Sequence, residues 1–80
     1  MQIGQIVCSL RGNDKGKFLL VLSEDENFVY LADGKRHKLS SPKKKNKKHI
    51  SSTTDTLKCE EILTDKAVRK ALAVYRSNLL

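Results

Sequence analysis

Eight positive charges fall between positions 35 and 48: Lys35, Arg36, Lys38, Lys43, Lys44, Lys45, Lys47 and Lys48, with no acid among them. Side chains of one sign held this close repel one another, and a polyanion relieves that repulsion. The chemistry open to them is neutralisation of phosphate with release of counterions. Lysine outnumbers arginine seven to one in the run. Lysine acts as a point charge, so gripping a backbone is favoured over bidentate reading of bases. The remaining basic and acidic residues nearly cancel, so the formal net charge of +7 belongs to this one segment.

Other chemistry-bearing patterns are weaker. Gly12-Asn13-Asp14-Lys15-Gly16-Lys17-Phe18 has three residues between its glycines and Phe18 after the lysine. A nucleotide-triphosphate loop needs four residues there and a Ser or Thr to hold Mg²⁺. Cys8, His37, His49 and Cys59 are nowhere paired at the short spacing of zinc modules, so no metal site is expected. Nothing beside Cys8 or the histidines suggests an oxyanion site or an orienting third group, so no catalytic residue is assigned. Phe18, Phe28, Tyr30 and Tyr75 are the only aromatics, too few for a sheet that stacks single-stranded bases. Tyr30 and His37, beside the basic run, are the two that could stack on a base.

These residues must be positioned by a chain of 80 residues and 9.0 kDa. That makes one small domain with a modest core, and it leaves little room for an enclosed substrate pocket. No small-molecule substrate and no cofactor are expected. Positions 3–10 read as a strand, 11–16 as a turn cluster with two glycines, and 17–23 as a second strand. Five consecutive apolar residues, Phe18 to Leu22, cannot share one face of a pleated strand, so this strand is expected to be covered on both sides. Positions 24–27 form an acidic turn and 28–32 a third strand. Asp33-Gly34 then predicts a two-residue hairpin into a fourth strand over 35–39, ended by Pro42. The stretch 43–48 would be an exposed basic loop, and 50–54 has strand-like content. From Thr64 onward, Val68, Ala71, Leu72, Tyr75 and Leu79 recur at helical spacing on one face.

Four short dense strands with glycine at the corners suggest a barrel whose closure hides its edges, braced by a terminal helix. The expected fold is mainly β: a small SH3-like barrel with a C-terminal α-helix. Residues 1–54 would form the barrel with the basic hairpin and loop, 55–63 a linker or short helix, and 64–80 a helix packed on the barrel, all in a single domain.

Gly4-x-x-Val7 followed by Gly12-x-Asp14-Lys15-Gly16-Lys17 and an apolar strand resembles the KOW motif, a strand–turn–strand unit of nucleic-acid-binding proteins. Gly16 would allow a tight left-handed turn that presents Lys15 and Lys17 to a phosphate backbone. Ala32-Asp33-Gly34-Lys35-Arg36, Pro42-Lys43-Lys44-Lys45-Asn46-x-Lys48-His49, Leu63-Thr64-Asp65 and Arg69-Lys70-Ala71 extend the likeness over nearly the whole chain. Together they resemble the small bacterial KOW-domain RNA-binding proteins, related to the archaeal and eukaryotic large-subunit ribosomal protein fourteen family. The resemblance implies an SH3-like translation-protein barrel, no catalysis, and RNA as partner, above all ribosomal RNA or the ribosome. It maps the family's basic hairpin and loop onto Lys35, Arg36, Lys43, Lys44, Lys45, Asn46, Lys48 and His49. Charge and position add Lys38 and Lys47, with Arg11, Lys15 and Lys17 as secondary phosphate contacts. A protein-interaction module of the transcription or translation machinery and a non-specific nucleic-acid binder are the rival readings.

The first ten residues lack a basic leader and make a poor signal peptide. No apolar run approaches the roughly 20 residues of a membrane helix. Two cysteines are not a disulfide framework. The expected address is the cytoplasm, with ribosome association implied by the resemblance, and nothing suggests a membrane partner or an oligomer.

Overall fold

The computed structural model describes residues 2–79, apart from the side chain of Cys59. Five antiparallel strands form one sheet: β1 (Gln5–Ser9), β2 (Phe18–Glu24), β3 (Phe28–Ala32), β4 (Lys43–Asn46) and β5 (Ile50–Thr56), in the order β4-β3-β2-β1-β5. In a flat sheet β4 and β5 would stand about 19 Å apart, four strand spacings. Only the 3-10 turn Lys47–His49 separates them, and three residues of 3-10 helix span about 6 Å. The sheet must therefore curl round on itself. Two backbone hydrogen bonds hold the turn in place, His49 accepting from Leu10 at 2.8 Å and Asn27 accepting from Lys47 at 3.0 Å. The result is a mainly β, SH3-like barrel carrying one C-terminal helix, α1 (Asp65–Asn78).

The apolar run in β2 is covered on both faces, as its composition demands. Leu19 and Val21 join Val7, Val29, Leu31 and Ile50 inside the barrel. Leu20 turns the other way and meets Ile6, Val68 and Leu72, with Phe18, Leu22, Leu39, Leu57, Ile62 and Tyr75 packed around them. Each fully buried Leu or Ile here contributes about 1.5–3 kcal/mol. Thr64 caps α1, its hydroxyl accepting from Ala67 N–H at 3.1 Å. Of the predicted helical stripe, Val68 and Leu72 are buried and Tyr75 half-buried, whereas Leu79 stands exposed at the helix end. Strand β5 runs to Thr56, past the expected end at 54, and a 3-10 turn at Cys59–Ile62 links it to α1.

The segment after β3 departs from expectation. There is no strand over 35–39 and no two-residue hairpin at Asp33-Gly34. Asp33 Oδ1 accepts from the backbone of both Lys35 and His37 at 2.9 Å, and the backbone N–H groups of Asp33 and Gly34 return to the His37 carbonyl. These bonds fold 33–37 into a turn. Leu39 N–H then donates to Asp65 Oδ1 at 2.7 Å, so this backbone is engaged by a carboxylate and by the helix, and it cannot pair with β3. Pairing begins only after Pro42. Thus the stretch 43–46, expected as an exposed loop, is the fourth strand, with Leu31 opposite Lys43 and Val29 opposite Lys45.

Candidate nucleic-acid interface

Strand β4 sits at one end of the ladder order and consists of Lys43, Lys44, Lys45 and Asn46. Alternation along a strand sends these four side chains to two faces. Lys45 lies opposite Val29, a residue of the barrel interior, so its stem runs inward. Its side chain is 8% exposed, and its ammonium donates to Asp14 Oδ1 at 2.7 Å and to the Arg11 carbonyl. Ser9 Oγ donates to the same Asp14 oxygen at 2.8 Å. Lys45 is therefore not a free surface cation. It is half of a buried ion pair that ties β4 to the β1–β2 turn, which corrects its assignment as a phosphate contact. Burial pushes the Asp14 carboxyl up, but the hydrogen bonds from Lys45 and Ser9, together with the Lys45 charge, outweigh this and hold it below its ordinary range.

The neighbouring lysines remain at the surface. Lys43 shares the Lys45 face but is exposed at the rim. Lys44 turns to the other face, where its ammonium stands 4.3 Å from the centre of the Phe28 ring. That contact fixes the side chain without neutralising it. Asn46 closes the strand and caps the following 3-10 turn, its Oδ1 accepting from Lys48 N–H at 2.9 Å. Lys47 lies 3.5 Å from Glu24, which leaves Lys48 as the exposed cation of that turn, with His49 half-buried.

The β1–β2 turn has the form its glycines suggest. Gly16 adopts φ +83°, its N–H reaches the Ser9 carbonyl at 2.8 Å, and Lys17 N–H reaches the Asp14 carbonyl at 2.9 Å. Arg11, Lys15 and Lys17 project from it, all exposed.

Residues far apart in sequence meet in a depression of about 160 Å³. Gly12, Asn13 and Asp14 line it from the turn, Arg36 and His37 from the Asp33-centred loop, and Lys43 and Lys45 from β4. Of the sequence-predicted residues, Arg36, Lys43 and Lys45 are brought together here. His37, singled out only as a stacking candidate, is also drawn in. Lys35 and Lys17 line a separate groove beside α1. Lys47, Lys48 and His49 lie beyond the far end of β4, and neither depression includes them. Tyr30, the other stacking candidate, has its hydroxyl 3.3 Å from Asp25 Oδ2. Cys8 is a free, half-buried thiol.

With Lys45 neutralised by Asp14, the depression keeps Arg36 and Lys43 as cations and His37 as a ring with two nitrogens. Such a set can hold a phosphate oxygen by charge-assisted hydrogen bonds. Lysines on an end strand also discourage pairing with another chain's strand. That role accounts for β4 alone, because Arg36 and His37 come from a loop. Among the described residues, no helix is long and apolar enough to cross a membrane. No protein-family model matches the chain, and no curated protein matches it.

Proposed function

We propose that this chain is a non-enzymatic RNA-binding module that grips folded RNA, ribosomal RNA or another structured RNA of the translation apparatus, through its phosphates. The observation that carries the reading is the convergence of Arg36, His37 and Lys43 from two segments beside the Gly12–Asp14 part of the turn. One lysine of the run is spent on holding that turn and strand together. Lys44 and Lys48 extend the cationic surface along β4 and the following 3-10 turn, and Lys15 and Lys17 extend it along the β1–β2 turn. The scarcity of aromatics and the predominance of lysine favour recognition of shape and phosphate geometry over base sequence. Resemblance to the small bacterial KOW-domain proteins supports the same partner.

The test is the salt dependence of binding to a structured RNA hairpin. About 4–6 phosphate contacts give a log–log slope of roughly −3 to −5. Replacing Lys43, Lys44 and Lys48 together by alanine should flatten it by about 2–3 units. Affinity unchanged by that triple substitution would overturn the site. Equal competition by duplex DNA would favour a generic polyanion binder, and nuclease-resistant capture of an acidic protein would favour an interaction module.

A further inference from the structure

A second groove, of about 290 Å³, runs between the start of β2, the Asp33-centred loop and α1, lined by Lys17, Phe18, Asp33, Lys35, Arg69, Leu72, Ala73 and Arg76. Its volume is close to the lower end of small-ligand clefts, about 300 Å³. Four of the lining residues are cations, and none of the four has a side-chain hydrogen bond or ion pair among the described residues. The lone acid, Asp33, already receives two backbone N–H groups on one oxygen. Unpaired like charges gathered round one groove oppose folding, so they call for a compensating anion.

The walls of the groove are held rigidly. Gly34 at φ +76° lies against the first turn of α1 so closely that an added Cβ would stand 2.1 Å from the Asp65 carbonyl oxygen and 2.9 Å from Arg69 N. The Leu39 N–H to Asp65 Oδ1 bond pins the other side of the loop to the same turn. The groove is thus present before any ligand arrives.

Its charge pattern is specific. Arg69 and Arg76 are seven residues apart, two helical turns or about 10.5 Å along the axis. Leu72 and Ala73 lie between them, and Phe18 stands nearby with its edge or face to Tyr75, ring centres 5.2 Å apart at 82°. The groove therefore offers an apolar middle with a cation at each end. A free mononucleotide carries phosphate at one end only. A nucleotide inside a strand has a phosphate on either side of the ribose from which its flat base projects. We propose that this groove receives one unpaired nucleotide of the bound RNA, its base against Phe18, Leu72 and Ala73 and its flanking phosphates on Arg69 and Arg76, with Lys17 and Lys35 on the opposite wall. The inference rests on the RNA-binding reading and adds to it a subsite for an unstacked base next to a duplex.

The experiment compares two RNA hairpins, identical except that one carries a single-nucleotide bulge, titrated against the full chain by fluorescence anisotropy. The wild-type chain should bind the bulged hairpin about tenfold more tightly, within the range of one base stacked on a protein surface. Arg69→Ala with Arg76→Ala should abolish that preference and leave the perfect hairpin bound through the β4 surface. Lys43→Ala, Lys44→Ala and Lys48→Ala together should weaken both hairpins alike and keep the preference. Both arginines are exposed, so a melting curve verifies that the double variant stays folded. Equal affinity of the wild type for the two hairpins would overturn the subsite, as would a preference that survives in the arginine variant. An arginine variant that lost affinity equally for both would mark these residues as general phosphate contacts and also overturn it. Failure of the wild type to bind either hairpin would refute the RNA reading itself, and the subsite with it.

Discussion

Replacing Lys45 by methionine tests whether one lysine of the basic run is a structural element. The substitution keeps the aliphatic stem beside Val29 and removes the ammonium. It leaves Asp14 buried, its side chain 9% exposed, with Ser9 Oγ as its remaining side-chain donor among the described residues. The Arg11 carbonyl also loses the Lys45 ammonium, so it and Asp14 are left to share the single hydroxyl hydrogen of Ser9. Removing one partner of a buried pair costs about 3–5 kcal/mol. A domain of this size has a total stability of about 4–12 kcal/mol, so K45M should lose about a quarter or more of it, lowering Tm by at least about 12 °C. Lys43→Ala, in the same strand but exposed, should change stability by no more than about 0.5 kcal/mol, and Lys44→Ala, which loses its contact with the Phe28 ring, by about 0.5–1 kcal/mol. Pairing K45M with Asp14→Leu removes both charges and should recover much of the loss. Urea unfolding followed by circular dichroism measures all four. Stability of K45M within 0.5 kcal/mol of wild type, or no worse than that of Lys43→Ala, would refute the buried-pair reading. The acid side offers a parallel check. The Asp14 pKa is depressed by folding, so its contribution is present above the ordinary aspartate value and fades as pH falls through the lower folded value. Acid unfolding of Asp14→Asn should lack that component.

The helix-bound turn and the caps give further expectations. Gly34→Ala forces a Cβ to within 2.1 Å of the Asp65 carbonyl oxygen at φ +76° and should cost more than about 2 kcal/mol, whereas Gly16→Ala meets open space and should cost only the strain of positive φ, about 1–2 kcal/mol; paired urea melts compare them. Thr64→Ala removes the α1 cap and should cost about 1 kcal/mol by the same assay. Tyr75 O–H donates to Asp55 Oδ2 at 2.7 Å, and that bond, with burial and the Asp55 charge, raises the Tyr75 pKa. Its contribution should hold below the ordinary tyrosine value and be lost as pH rises through the folded one. Ultraviolet titration should therefore find one phenol ionising late, and Asp55→Asn should return it towards 10.

Much of the architecture is readable from local patterns. The run Phe18 to Leu22 reveals a strand covered twice because five apolar neighbours cannot share one face, and the stripe Val68, Leu72, Tyr75 reveals the helix that covers it. What local pattern does not carry is competition for backbone. Asp33-Gly34 has hairpin chemistry, yet the Asp33 carboxylate takes the N–H groups of Lys35 and His37, and Gly34 is required for its approach to α1. Strand pairing is thereby displaced to Lys43–Asn46, a stretch whose charge suggests a loop. Lys45 is indistinguishable from its neighbours in sequence; only the register opposite Val29 turns it inward, towards an Asp14 thirty-one residues away. Sequence pattern does not single out Arg69 and Arg76 as phosphate contacts, because each is an ordinary exposed helix cation. Their spacing of seven beside the apolar stripe is the signal that places both at one groove.

The most direct test of RNA binding is co-sedimentation of the tagged chain with ribosomes from its own host at low and moderate salt, with free RNA and DNA of similar length as competitors. Retention on the large subunit at moderate salt, against excess competitor, is the predicted result, and it should fall when Arg36, Lys43 and Lys44 are replaced together by alanine. Release at moderate salt with equal competition by DNA would contradict it.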